Sequence, residues 1–337
     1  MKTSEAQLLL DWYKVNGRIL PWRVRGAHPD PYAVWVSEIM LQQTTVKTVC
    51  GYFEKWMQRF PTLKSLAESS VDDVLLLWQG LGYYTRAKKM HACAGVVAAQ
   101  YNGVFPSERE KLLKLPGIGP YTASSICAFA FNLPETVVDG NVIRVLARFY
   151  GMEEEVDRDI ITPLAKKLTP SLHSADYASA IMDLGATVCT PVSPRCEACP
   201  WRENCLARQK GLQENIPVLK KTQKKKRHGS VFILTNVRGE LFIRKRSSGL
   251  LSGLWELPWS EDGTVPFEAN WQKLPHKVHH IFTHIDLSLE FYESTSPCPE
   301  SFCATGLFVS PEKLSDYAFS TLMKKVFKVM NISLDTR

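Results

Sequence analysis

A chain of 337 residues with 45% hydrophobic and 22% charged side chains is long enough for two domains and has the balance of an ordinary globular protein, not of a disordered or fibrous one. No N-terminal apolar run reads as a signal peptide and no uncharged stretch of about 18 residues could span a bilayer, so an intracellular protein is expected. The net charge of +7 points to a polyanionic partner, yet six of the basic residues are Lys220, Lys221, Lys224, Lys225, Lys226 and Arg227; charge alone supports nucleic-acid binding weakly.

The first two-thirds reads as successive helices. Ser4 with Gln7 predicts a capping box ahead of an apolar face of Leu8, Leu9 and Trp12, ended by Gly17. Pro31 opens a long helical stretch that reaches Phe60 and breaks near Thr44 or Gly51, and Ser70 with Asp73 starts another. Helical periods follow near 83–101, 108–113, 121–131, 140–150, 159–169 and 175–188. The texture then changes. IPVLKKTQKKKRHG has no apolar period and predicts an exposed linker over 216–229. SVFILTN and ELFIRKR around Val237-Arg238-Gly239 predict a hairpin, VHHIFTHIDLSLEFY and TGLFVS predict further strands, and a last helix is expected from Ser310-Pro311-Glu312 through Phe327.

Three constellations carry chemistry. In LPGIGPYTA, Gly117 and Gly119 bracket Ile118, allowing a tight turn with exposed amides while Ile118 plugs the core; with the following helix N-terminus this suits a phosphate oxygen. Alone, such a GxG is an ordinary helix connection. In VVDGNVIRVLAR, Asp139 lies between an apolar run and a helix, where an N-cap role and an ionised functional carboxylate are compatible. Glu38 has Val34, Trp35 and Leu41 as helical neighbours, and burial among them would raise its pKa as an acid catalyst requires; taken by itself, an exposed glutamate on a helix edge is the commoner reading.

The chain holds nine cysteines, which in an intracellular protein argue for thiols or metal ligands over a disulfide framework. Cys189, Cys196, Cys199 and Cys205 can close one sulfur cage, for zinc or for an iron–sulfur cluster.

LPGIGPYTA, then VVDGNVIRVLAR, then four closing cysteines resembles the DNA glycosylase superfamily that includes endonuclease III. Within it, LPW at Leu20–Trp22, WVSEIMLQQT at Trp35–Thr44 and GLGYYTRA at Gly80–Ala87 resemble the adenine DNA glycosylase (MutY) family. The resemblance implies an all-α helix–hairpin–helix domain over 1–215 and a small α+β, Nudix-like domain over 230–337 that reads 8-oxoguanine. It implies a [4Fe–4S] cluster on the four cysteines, ordering a loop that carries Arg195 and Arg202 against DNA. It makes Glu38 the acid that protonates adenine N7 and Asp139 the carboxylate that stabilises the sugar cation, with Tyr121 and Asn141 positioning them. Gln43 and Tyr83 would fill the vacated duplex, Gly117, Ile118 and Gly119 would hold a phosphate, and Phe282, Thr283 and His284 would contact 8-oxoguanine, Thr283 standing where the family has Ser. Ser248–Pro258 corresponds to the Nudix loop but lacks its run of metal-binding carboxylates, so that domain should bind without hydrolysing. Between Trp22 and Glu38 the chain runs longer than the family pattern, around Arg23, Arg25 and His28. The implied partner is duplex DNA with adenine opposite 8-oxoguanine or guanine, and the enzyme would be a monomer of the bacterial cytoplasm and nucleoid.

The nearest alternative is an endonuclease III-like glycosylase and lyase acting on oxidised pyrimidines. It needs an amine nucleophile, and the family's lysine falls where Tyr121 stands. A non-catalytic DNA-binding protein would leave Glu38, Asp139, Tyr121 and Asn141 without a purpose.

Overall fold

The computed structural model describes residues 4–23, 29–218 and 224–334. They form two compact units: Met1–Glu68 with Lys89–Lys220, and Ser69–Lys88 with Lys221–Arg337. No helix among the described residues is long and apolar enough to cross a membrane.

The first unit is helical: α1 (Glu5–Asn16), α2 (Pro31–Leu41), α3 (Val46–Arg59) and α4 (Leu63–Ala67). Beyond α5 (Val71–Leu77) of the second unit, α6 (Thr85–Gln100) crosses the boundary in the chain. Then come α7 (Arg109–Leu112), α8 (Pro120–Phe131), α9 (Gly140–Phe149), α10 (Arg158–Leu168), α11 (Ser174–Thr187) and α12 (Leu206–Gln209). Ser4 caps α1 by accepting from Gln7 N at 3.3 Å, but the Gln7 amide turns to Asp11 instead of back to the cap, so half of the expected box forms. The long stretch from Pro31 breaks at Gln42–Thr45, where Gln43 adopts φ 58° and Thr45 caps α3, while Gly51 sits inside a continuous helix. The core of this unit gathers Leu9, Val138, Val142, Val145, Leu146, Tyr177, Ile181, Leu184 and Trp201 from α1, the segment leading into α9, α9 itself, α11 and the loop beyond it. α2 is buried along most of its length, Val34 through Met40 all lying inside.

The second unit contains β1 (Lys225–Leu234), β2 (Leu241–Lys245), β3 (Trp255–Glu256), β4 (Trp259–Ser260), β5 (Gln272–Ile281), β6 (Ile285–Ser294), α13 (Glu300–Cys303), β7 (Gly306–Val309) and α14 (Thr321–Val329). One sheet has the order β4-β1-β6-β5, with β1 and β6 parallel, and the other β3-β2-β7. Leu287, Leu289 and Phe291 alternate inward on β6 and pack with Val231, Ile243, Val309 and the α14 face of Leu322, Met323, Val326 and Phe327.

Four expectations are corrected here. Lys225–Gly229 are not linker: they pair with Ile285–Leu289 as the first half of β1. Their side chains stay exposed, so a strand held by its backbone reads as an unstructured charge run; Lys220 and Lys221 lie outside the described residues. β1 and β2 are not a paired hairpin. The pairing stops at the turn, in an isolated bridge from Thr235 to Leu241 and the Asn236 N to Glu240 O hydrogen bond at 3.1 Å, and the two strands enter different sheets. Ser310-Pro311-Glu312 begins a short 3-10 turn, Pro311–Asp316, and α14 starts later with Ser320 accepting from Met323 N at 3.2 Å. Finally, Cys298 and Cys303 are disulfide-bonded: Cys298 lies just ahead of the Pro299 cap of α13 and Cys303 ends that short helix, with Cα atoms 6.0 Å apart, within disulfide reach.

Candidate active site

In the first unit a cavity of about 1060 Å3 is walled by Trp22, Arg23, Glu38, Gln43, Tyr121, Asp139, Asn141 and Arg158, among others. All four residues expected to be catalytic therefore meet in one place, although Glu38 and Asp139 are distant in sequence.

Glu38 projects from the buried helix α2 and is only 8% exposed. Burial, the largest cause, pushes its carboxyl up to about 7, and the negative charge of Asp139 pushes the same way; hydrogen bonds from Ser125 and Tyr121, and the Arg23 charge, oppose the rise. Tyr121, on the first turn of α8, is itself held well above the ordinary phenol value by burial and by Glu38 and Asp139, so its hydroxyl stays a donor at neutral pH.

Asp139 is the N-cap of α9. Its Oδ1 accepts from Val142 N at 2.8 Å and its Oδ2 from Asn141 Nδ2 at 2.8 Å. Asn141 is oriented in turn: Arg144 Nη2 donates to Asn141 Oδ1 and to Gly185 O, and Arg144 Nε donates to Cys189 O, each at 2.8 Å. One helical turn on, the buried Arg148 donates to Cys189 Sγ at 3.4 Å and to Thr190 O at 2.7 Å. The α9 arginines thus tie the carboxylate wall of the cavity to the first cysteine of the loop. Sequence reading missed both, since arginines at i and i+4 of a helix look like a solvated face until the loop they grip is known.

It also missed Asp183, fully buried on α11. Its carboxylate accepts from Arg18 Nε (2.7 Å), Arg18 N (2.8 Å), Arg23 Nη1 (2.8 Å) and Arg23 Nη2 (3.0 Å). Burial alone would raise its pKa, but the hydrogen bonds and charges of Arg23 and Arg18 hold it below the usual range. This triad fixes the Leu20–Trp22 segment beside Glu38. Arg25 and His28 lie outside the described residues.

The hairpin takes the expected form. Gly117 has φ 78°, Ile118 is buried, and Gly119 caps α8 with Pro120 at its first position. A Cβ on Gly117 would stand 2.8 Å from Lys89 Cβ. Gly117→Ala should therefore lower stability by about 1–2 kcal/mol, the left-handed penalty, before any loss from the contact; a thermal melt would show it, and an unchanged melting temperature would mean the turn relaxes freely.

Cys189, Cys196, Cys199 and Cys205 are close enough that each of Cys196, Cys199 and Cys205 feels its neighbours' charge on top of burial, and all their pKa values are pushed up. Thiolates so grouped need a shared cation. Among the described residues no three His, Cys, Asp or Glu side chains close on a single-ion site, and the fit to an iron–sulfur group rests on the all-sulfur donor set and on Arg148 beside Cys189. When bound, such a group would order the loop. Arg195 and Arg202 are held locally, Arg195 by Thr187 O at 2.6 Å and Arg202 by Glu203 and Glu197 O, both at 2.9 Å.

In the second unit the hydroxyls of Tyr83 and Thr283 are hydrogen-bonded to each other, joining two residues expected at DNA. Tyr83 has φ 47° and stays 47% exposed. Thr283 and His284 form the exposed tip between β5 and β6, while Phe282 packs edge-on against His280 at 4.5 Å.

Residues 36–171 match the HhH-GPD superfamily of base excision DNA repair proteins, 189–205 the iron–sulfur binding domain of endonuclease III, and 230–329 the Nudix domain. An adenine DNA glycosylase of Buchnera aphidicola (subsp. Acyrthosiphon pisum) is 38% identical over 305 residues, covering 83% of this chain and 85% of the relative. The chain belongs to the adenine DNA glycosylase family. The rat adenine DNA glycosylase is 33% identical, covering 97% of this chain and 78% of the relative. Among solved structures, a thermostable thymine-DNA glycosylase superposes with a TM-score of 0.56 at 28% identity, covering 61% of this chain and 95% of that one. Membership in this family identifies the chain as a DNA N-glycosylase with an iron–sulfur binding loop and a Nudix-like second domain.

Proposed function

We propose that this glycosylase excises adenine opposite 8-oxoguanine or guanine, acting on a base flipped out of the duplex, with a [4Fe–4S] cluster on Cys189, Cys196, Cys199 and Cys205. The observation that carries the reading is the pairing of two unlike carboxyls across one cavity: Glu38 buried and pushed to about 7, and Asp139 held by a helix N-terminus and Asn141. Depurination needs a proton on the leaving base and a negative group beside the sugar. Neutral Glu38 gives its proton to adenine N7, and the C1′–N9 bond breaks with its electron pair leaving on the base. Asp139 stabilises the oxocarbenium ion, as an ion pair or through a transient bond at C1′. Water adds at C1′ and its proton returns to Glu38, leaving an abasic site. Tyr121 and Asn141 hold the two carboxyls in place, the turn at Gly117, Ile118 and Gly119 takes a phosphate, and Gln43 and Tyr83 fill the gap in the stack. Incubation with duplexes carrying A opposite 8-oxoguanine, A opposite G, and thymine glycol tests this; excision of thymine glycol alone would replace the reading with the endonuclease III one.

The absence of an amine at position 121 makes a monofunctional enzyme the expectation. Borohydride should trap no adduct through Tyr121, and strands should break only after heat or alkali; a trapped complex that vanishes in Tyr121→Ala would overturn it. The Nudix-like unit is assigned the opposite base. Thr283→Ala with His284→Ala should weaken binding to A opposite 8-oxoguanine by about 1–3 kcal/mol, the cost of a polar partner left unpaired, and weaken A opposite G much less. Equal losses on both duplexes would reduce this tip to a structural role.

A further inference from the structure

We infer that Arg158 holds a backbone phosphate of the flipped nucleotide at the mouth of the cavity, with the ring of Tyr121 as its seat; the inference rests on the function proposed above. Among the described residues, three arginines line the cavity, Arg18, Arg23 and Arg158. The first two are spent on the buried carboxylate of Asp183. Arg158, exposed at the start of α10, has no ion pair and no side-chain hydrogen bond among the described residues, yet its guanidinium is not adrift: it lies over the Tyr121 ring, 5.4 Å from the centroid. At that distance the contact is a cation–π attraction that holds the charge over the ring without using any of its N–H donors. Those donors form the planar group suited to a phosphodiester oxygen pair.

Its position gives the phosphate a meaning. Tyr121 stands on the first turn of α8, directly after Gly119-Pro120, and Arg158 meets its ring from inside the cavity that both residues line. Tyr121 also hydrogen-bonds Glu38. A phosphate bound by Arg158 holds the guanidinium over the ring that hydrogen-bonds the acid, making Arg158 a phosphate contact that also positions Tyr121.

The test uses the full chain and a duplex carrying 2′-fluoroadenosine opposite guanine, whose fluorine slows loss of the base. Binding is measured across a salt series for the wild type, Arg158→Met and Arg158→Lys. Removing one phosphate contact should lower the salt slope by about 0.9 in Arg158→Met, whereas Arg158→Lys keeps the slope, and a fully paired duplex shows no difference between variants. Equal slopes in wild type and Arg158→Met would overturn the inference. So would an Arg158→Lys variant as deficient as Arg158→Met, which marks packing, or the same slope change on the paired duplex, which marks a general surface contact. Wild-type excision from unmodified duplex is measured alongside: if it fails while the slopes still differ, the function proposed above fails and the phosphate contact stands.

Discussion

Glu38→Gln is expected to abolish adenine excision while leaving mismatch binding intact. The amide matches the carboxyl in size and keeps a donor toward the cavity, but it has no proton acidic enough to give to N7, and positioned general acids supply roughly 10²–10⁴ in rate. The wild-type rate should also carry a pH signature. Burial pushes the Glu38 carboxyl up to about 7, so the acid form prevails below that pH and single-turnover excision should fall about tenfold per unit above it. The sign for stability follows from the same shift. A carboxyl whose folded pKa is raised stabilises the fold at pH below the ordinary value, and that stabilisation is lost as pH rises through about 7. Glu38→Gln should therefore melt higher than wild type at alkaline pH, where it no longer has to bury an ion. Excision within a few-fold of wild type by the variant would remove Glu38 from the chemistry.

Why Glu38 could be found from the sequence, and Asp183 could not, is a matter of range. The helical neighbours of Glu38, Val34, Trp35 and Leu41, made burial one local reading, but the family resemblance was needed to prefer it over an exposed edge, and the groups that tune its carboxyl, Ser125, Tyr121 and Asp139, lie far along the chain. Asp183 takes its meaning from Arg18 and Arg23, far off in the chain, and reads by itself as one more helical acid. The hairpin was legible because Gly117 and Gly119 are needed for backbone reasons that act within a few residues. The same limit explains the corrected elements. Lys225–Gly229 become a strand only because β6 supplies the hydrogen-bond ladder, and β1 and β2 part company because their partners, β6 and β7, come later in the chain. Ser69–Lys88 belongs to the second unit through contacts such as Lys88 Nζ to Ser252 Oγ at 3.1 Å and Gln79 Nε2 to Tyr317 O at 3.2 Å, none of which leaves a trace in helical periodicity.

Asp139→Asn separates the two roles of that residue. As a helix cap asparagine equals aspartate, and its Oδ1 can still accept from Val142 N, which Asp139 does at 2.8 Å. The other atom is the difficulty. Asp139 Oδ2 accepts from Asn141 Nδ2, and Asn141 cannot turn over to compensate because its own oxygen is held by Arg144 Nη2 at 2.8 Å. In the variant two amide nitrogens would face each other as donors, so a stability loss of about 1–3 kcal/mol is expected, small enough for the domain to stay folded. The chemical loss should be larger. A neutral amide cannot stabilise the sugar cation, and removing one preorganised charge-stabilising group costs on the order of 10²–10³ in rate; losing the option of a bond to C1′ adds to that. Single-turnover excision at saturating enzyme reads the rate, and a thermal melt on the same preparation reads the cap. A variant that melts like wild type and still excises at more than a tenth of its rate would leave Asp139 as a cap alone, and the cation-stabilising role would pass to another group in the cavity.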